Sequence, residues 1–256
     1  MGEFVDVSLE AGVLTVTMAR PDKKNAITNA MYGAMADALA RAETDPAIRV
    51  VLFQGNGDSF TAGNDLADFA AVSKGASGER HVTRFLANLA AATRPLVAAV
   101  QGNAVGVGTT MLLHCDLVYL ASNARLITPF VNLALVPEAG STYLLPQRIG
   151  YARAYAMFAL GEPMDAETAV SIGLANAVVP PDELRAKARA AAEALAKRPS
   201  GSLQHTKALM RDTAGITAQI ARESKIFQER LMSAEAREAF AAFAERRPPD
   251  FSKVAG

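Results

Sequence analysis

The chain has 256 residues, 50% of them apolar, enough to bury a sizeable core. Basic and acidic residues number 26 each, so no electrostatic footprint for nucleic acid or an anionic membrane surface stands out. Cys115 is the only cysteine, which excludes an intrachain disulfide and suits a reducing compartment. Only His81, His114 and His205 accompany it, without paired ligand spacing, so no metal is expected. Met1–Asp6 carries acids where a signal peptide carries bases, and no run of about 18 apolar residues occurs; the expected location is cytoplasmic.

The first two runs, Phe4–Leu9 and Val13–Met18, are rich in β-branched residues and separated by Glu10-Ala11-Gly12, which predicts a hairpin. Thr28 is placed to cap a helix running to about Thr44, with Met31, Met35, Ala38, Leu39 and Ala42 on one face. Ile48–Gln54 reads as a buried strand. A helix near 79–92 precedes Pro95, and Leu96–Val100 is the next strand. Two more strands are expected at Asp116–Ala121 and Arg125–Thr128. This alternation places the chain in the α/β class. After Pro199 strand signals end and alanine-rich helical spacing continues to Arg246. The expected division is therefore a core, 1–198, and a helical part, 199–256. Its apolar anchors, Met210, Ile220, Phe227, Leu231, Phe240 and Phe243, need the body or another subunit to cover them.

Two glycine turns carry the chemistry. Ala62-Gly63 allows a sharp turn in Ser59–Phe69, and Gln101–Gly108 joins a strand to a helix. Such turns leave backbone N–H groups unpaired and available to an anion. Either turn alone reads better as an ordinary glycine-containing strand–helix connection. The second lacks the third glycine of a dinucleotide fingerprint, and the chain has no Gly-Lys-Ser/Thr sequence for a phosphate loop.

Together the turns are specific. Phe60-Thr61-Ala62-Gly63-Asn64-Asp65-Leu66 resembles the F-x-A-G-x-D-L turn of the crotonase (enoyl-CoA hydratase/isomerase) superfamily, and Gln101–Gly108 resembles its second turn, G-x-A-x-G-x-G. The similarity extends from Arg20–Ala26 to Ala242–Arg247, nearly the whole chain. The resemblance implies a spiral of ββα units with two roughly perpendicular sheets and a helical C-terminal part that forms a homo-trimer or hexamer. It implies an acyl-CoA substrate and no cofactor beyond that CoA. The N–H groups of Asn64 and Val107 would form an oxyanion hole for the thioester oxygen, Val107 standing where glycine is usual. Lys24, Ala26, Ala62, Asp65 and Leu66 match positions lining the CoA groove. Phe243 and Arg246 match positions that cover CoA, often from a neighbouring subunit; Lys24 and Arg246 read equally as solvated charges.

The family's hydratases use two glutamates, and this chain has Thr110 and Phe130 at those positions. Thr128–Ser141 instead resembles the Δ3,Δ2-enoyl-CoA isomerases, in which a glutamate at the position of Glu138 is the base. One carboxylate suffices for a 1,3 proton shift, and burial beside Phe130, Val131 and the acyl chain should raise its pKa. Taken alone, Glu138 reads first as an acid favourable to a helix N-terminus, and the resemblance puts catalysis ahead of that. The leading expectation is an enoyl-CoA isomerase; the alternatives are a hydratase-type lyase and an inactive acyl-CoA-binding subunit. Asp68, Glu79 and His81 read as surface residues, and His114 as structural.

Overall fold

The computed structural model describes residues 4–65, 68 and 80–254. Strands β1 (Val5–Glu10) and β2 (Val13–Met18) form the hairpin that the sequence predicts, turning at Ala11 and Gly12, both with positive φ. From β2 onward the sheet is parallel: β3 (Val50–Gly55), β4 (Leu96–Val100), β6 (Leu117–Ala121) and β9 (Ala177–Val179) follow in the order β1-β2-β3-β4-β6-β9. Every residue of β2 and β4 is buried, as expected of strands covered on both faces.

Alternation along the strands explains two cores. Leu14, Val16, Val51, Phe53, Ala98 and Val100 face the larger one, whereas Val13, Val50, Leu52, Val97 and Ala99 face the smaller. The smaller face is closed by α7 (Leu184–Ala196) through Leu184, Ala188 and Ala192. The larger face receives α1 (Asn29–Thr44), whose predicted stripe from Met31 to Ala42 is buried. Thr28 caps α1, accepting from the Met31 N–H at 3.3 Å, and the Asp68 carboxylate adds a second cap by accepting the Asn29 N–H at 2.9 Å. Helix α2 (His81–Ala91) lies against α1.

A second sheet joins β5 (Asn103–Val105), β7 (Arg125–Ile127) and β8 (Met164–Asp165). β5 leads straight into a single-turn helix, α3 (Val107–Thr110). Helices α4 (Ser141–Ile149), α5 (Tyr151–Leu160) and α6 (Ala166–Ser171) follow. Beyond residue 199 the chain is helical: α8 (Ser200–Met210), α9 (Thr213–Leu231) and α10 (Ala234–Ala244). Ile216, Ile220 and Leu231 bury in the larger core, and Phe227 and Phe240 pack against it. Met210 and Phe243 are 83% and 62% exposed. Among the described residues no helix is long and apolar enough to cross a membrane.

Candidate active site

The two glycine turns are hydrogen-bonded to each other. The Phe60 N–H donates to Gln101 O (2.7 Å), Thr61 N–H to Asn103 O (3.1 Å) and Val105 N–H to Thr61 O (3.0 Å). So close an approach dictates glycine. A Cβ on Gly63, where φ is +84, would stand 2.8 Å from Val105 O, and one on Gly108 would stand 2.4 Å from Thr61 Cγ2. Asn25 clamps the first turn from beneath: its buried amide donates to Asn56 O (2.8 Å) and Ser59 O (2.9 Å), while its Oδ1 accepts the Arg20 N–H (2.9 Å). No periodicity or turn signal marks Asn25 for this role, although it sits in the Arg20–Ala26 segment.

This ladder consumes the neighbours of two N–H groups and leaves those two spare. The Ile27 backbone takes Gly63 O and the Asp65 N–H, at 2.8 and 3.0 Å, turning Asn64 the other way. Val107 is the first residue of α3, so its N–H has no partner inside the helix. Gly106 before it adopts φ 56 and ψ −116, which swings the Val107 side chain into the core at 0% exposure. Valine in place of the usual glycine is thus absorbed by packing. Among the described residues neither the Asn64 nor the Val107 N–H finds an acceptor.

Glu138 is 6% exposed. Burial raises its pKa to about 7; the Thr110 hydrogen bond works against that rise and the Glu223 charge adds to it. The Thr110 hydroxyl donates to Glu138 Oε1 at 2.6 Å, so the residue at the first hydratase position serves the carboxylate instead of duplicating it. Val131, expected to help bury this group, is 46% exposed, whereas Phe130 is buried. Glu138 is not the cap of α4. That role belongs to Glu223 on α9, which accepts the Gly140 N–H (2.6 Å) and the Thr142 N–H (2.9 Å).

His114 holds the same turn from the opposite side. Its Nε2 lies 2.7 Å from Ala139 O, an acceptor only, and its Nδ1 lies 2.5 Å from the Arg211 guanidinium, a donor only. The ring is therefore the neutral Nε2–H tautomer. Burial, then Arg211, pushes its pKa down to about 3, which fits the structural role read from sequence. His81 lies against Gly33 of α1.

Asn64 and Glu138 line one cavity of about 60 Å³, together with Arg80, Val82, Thr83, Leu86, Ser224, Phe227 and Gln228. The Tyr32 hydroxyl donates to Asn64 Oδ1 at 2.6 Å, and burial followed by the Glu138 charge holds its pKa well above the usual phenol value. A larger cavity of about 520 Å³ lies beneath α8, lined by Asp116, Lys207 and Arg211, and reaches neither Asn64 nor Glu138. Its charges are engaged in fastening the helix: Lys207 donates to Asp116 Oδ2 (2.8 Å) and Arg94 O (2.9 Å). The small cavity brings Asn64 together with a buried carboxylate, and it is the candidate active site.

The sequence profile of enoyl-CoA hydratase/isomerase matches residues 8–254. The chain belongs to the enoyl-CoA hydratase/isomerase family. It is 34% identical to 1,2-epoxyphenylacetyl-CoA isomerase of Escherichia coli, over 98% of this chain and 99% of that one. It is also 34% identical to enoyl-CoA delta isomerase 2 of Rattus norvegicus, over 94% of this chain and 63% of that one. A crystal structure of an enoyl-CoA hydratase/isomerase from Pseudoalteromonas atlantica superposes with a TM-score of 0.92 at 44% identity, covering 97% of this chain and all of that one. The chain thus has the crotonase fold and acts on CoA thioesters as an enoyl-CoA hydratase/isomerase-type enzyme.

In this family member four of the five residues expected in the CoA groove form one continuous edge. The Ala62 N–H donates to Lys24 O at 2.8 Å, and Arg20 Nη1 bridges Ala26 O (3.1 Å) and the Asp65 carboxylate (2.6 Å). Lys24 is exposed. Leu66 and Glu79 lie outside the described residues. Phe243 and Arg246, on and after α10, are exposed, and among the described residues no hydrogen bond or ion pair ties them to the Lys24 edge. Among the described residues no group of three or more His, Cys, Asp or Glu could hold a metal ion. Cys115 is buried, which pushes its thiol up to about 12.

Proposed function

We propose that the enzyme moves a double bond from Δ3 to Δ2 of an enoyl-CoA, with Glu138 as the base. The observation that carries this reading is one buried carboxylate with a pKa of about 7 sharing a cavity with Asn64. Glu138 removes a proton from C2. The thioester oxygen of the resulting dienolate accepts the N–H groups of Asn64 and Val107, whose lack of acceptors among the described residues supports this role. The protonated Glu138 then delivers its proton to C4, and the base is restored. A pKa near the operating pH suits a group that must take and return one proton.

Hydration requires a second group to hold and activate water. Thr110 and Phe130 supply no carboxylate, and Glu223 is occupied by two backbone N–H groups. Glu138→Gln is expected to lower isomerisation of 3-enoyl-CoA by at least about 100-fold while CoA-thioester binding persists. Unchanged turnover in that variant sinks the assignment. Steady hydration of 2-enoyl-CoA by the native enzyme would instead favour the lyase reading. The exposed Phe243 and Arg246 suit a role on the CoA of a neighbouring subunit, in a trimer or a hexamer.

A further inference from the structure

The acyl cavity contains a cation that the proton shift does not use. Arg80 immediately precedes α2 and lines the cavity with Glu138. Among the described residues its guanidinium has no hydrogen-bond or ion-pair partner. Other arginines of the chain are engaged: Arg20 with Asp65, Arg84 with Asp37, Arg211 with His114. Arg80 does not pair with Glu138 either. Among the described residues no hydrogen bond or ion pair joins the two side chains, and the Arg80 charge is not among the causes that act on the Glu138 carboxyl. Its charge reaches the Tyr32 hydroxyl beside Asn64, so the cavity wall carries a guanidinium that no described acceptor engages, a donor group suited to an anion brought by the ligand.

The position decides which part of the ligand that is. Glu138 works at C2 to C4, so groups sharing its small cavity meet acyl atoms from C2 outward. Thr83, Ser224 and Gln228 add further polar lining. A plain hydrocarbon tail would use none of these groups, whereas a carboxylate matches the guanidinium in charge and planar geometry. We propose that Arg80 receives a carboxylate at the far end of the acyl chain, so that the preferred substrates are short ω-carboxyacyl-CoA thioesters. This rests on the reading of the cavity as the acyl site.

The test uses binding, which needs no proton shift. Affinities of adipyl-CoA and hexanoyl-CoA, both saturated, are measured by calorimetry on the native enzyme and on Arg80→Met and Arg80→Lys. The native enzyme is expected to prefer adipyl-CoA by roughly 10- to 100-fold, the range of a charged hydrogen bond. Arg80→Met should bring the ratio close to one, and Arg80→Lys should keep part of the preference. Equal affinities in the native enzyme overturn the proposal. So does a preference that survives Arg80→Met, or an Arg80→Met variant in which both thioesters weaken equally, which would place the arginine on CoA. Adipyl preference in an enzyme that fails to isomerise 3-enoyl-CoA would uphold Arg80 and reject only the isomerase reading.

Discussion

Replacing Thr110 by valine tests the coupling between the hydroxyl and the base. The two side chains are nearly isosteric, so the change removes one 2.6 Å hydrogen bond and leaves the packing volume in place. A hydrogen bond to a charged group is worth ~1.5–3 kcal/mol, and 1.36 kcal/mol corresponds to one pH unit. Losing it disfavours the carboxylate, so the acid limb of kcat/KM moves upward by roughly one to two pH units. With a starting pKa of about 7, half of the enzyme holds an ionised Glu138 at pH 7. A rise of one unit leaves about one eleventh, a loss of roughly fivefold at pH 7 that nearly vanishes at pH 9. The higher basicity of the remaining carboxylate returns part of that loss. The assay is kcat/KM for a 3-enoyl-CoA between pH 5.5 and 9.5, with Thr110→Ser as a control that keeps the hydroxyl. An acid limb that stays in place in Thr110→Val refutes the argument, because the hydroxyl would then not set the ionisation of the base.

Glu138 also links stability to pH. Its folded pKa lies above the unfolded value, so between 4.5 and about 7 the folded state binds more protons and stability falls as pH rises. The span corresponds to roughly 3 kcal/mol at 1.36 kcal/mol per unit. Glu138→Gln, neutral throughout, should gain stability over the native enzyme by up to that amount at pH 8 and by little at pH 4.5, measured by urea unfolding; a constant difference counts against the assignment. Glu223→Gln should move the kinetic acid limb the opposite way from Thr110→Val, because it removes a negative charge that raises the Glu138 pKa. It should also cost roughly 1–3 kcal/mol of stability, since the Gly140 and Thr142 N–H groups bond different carboxylate oxygens and an amide replaces one of them with a donor. A limb that rises in Glu223→Gln would show that the turn had moved.

Local physics made much of this legible. The α1 stripe repeats at helical spacing because one face meets the sheet, and Thr28 is read from its place before that stripe. Gly63 and Gly108 mark the two glycine turns because two backbones approach too closely for a Cβ. What stayed hidden is held by side chains far apart in sequence. Thr110 meets Glu138 across 28 residues, Tyr32 meets Asn64 across 32, and Glu223 meets Gly140 across 83. No periodicity records such contacts. Thr110 could be noticed only as a missing carboxylate, and its service to Glu138 required the fold. β5 was concealed for another reason: three residues between Gly102 and Gly106 are too few for an alternation to register.

The position of Glu138 is a tertiary property, and the helical C-terminal part helps to create it. Ala139 and Gly140 both adopt positive φ, at 64 and 69. Such a conformation costs about 1–2 kcal/mol at alanine, so this turn does not hold itself. His114 fixes Ala139 O from one side, steadied by Arg211, which follows α8 and also donates to His114 O at 3.2 Å. Glu223 on α9 fixes the Gly140 N–H from the other. Both outer contributors lie beyond residue 199, although the carboxylate that they position belongs to the body. Glu223 acts twice, because the charge that caps α4 also raises the pKa of Glu138. Displacing α9 would therefore release the turn and remove that charge together, changing the direction and the proton affinity of the Glu138 carboxylate at once.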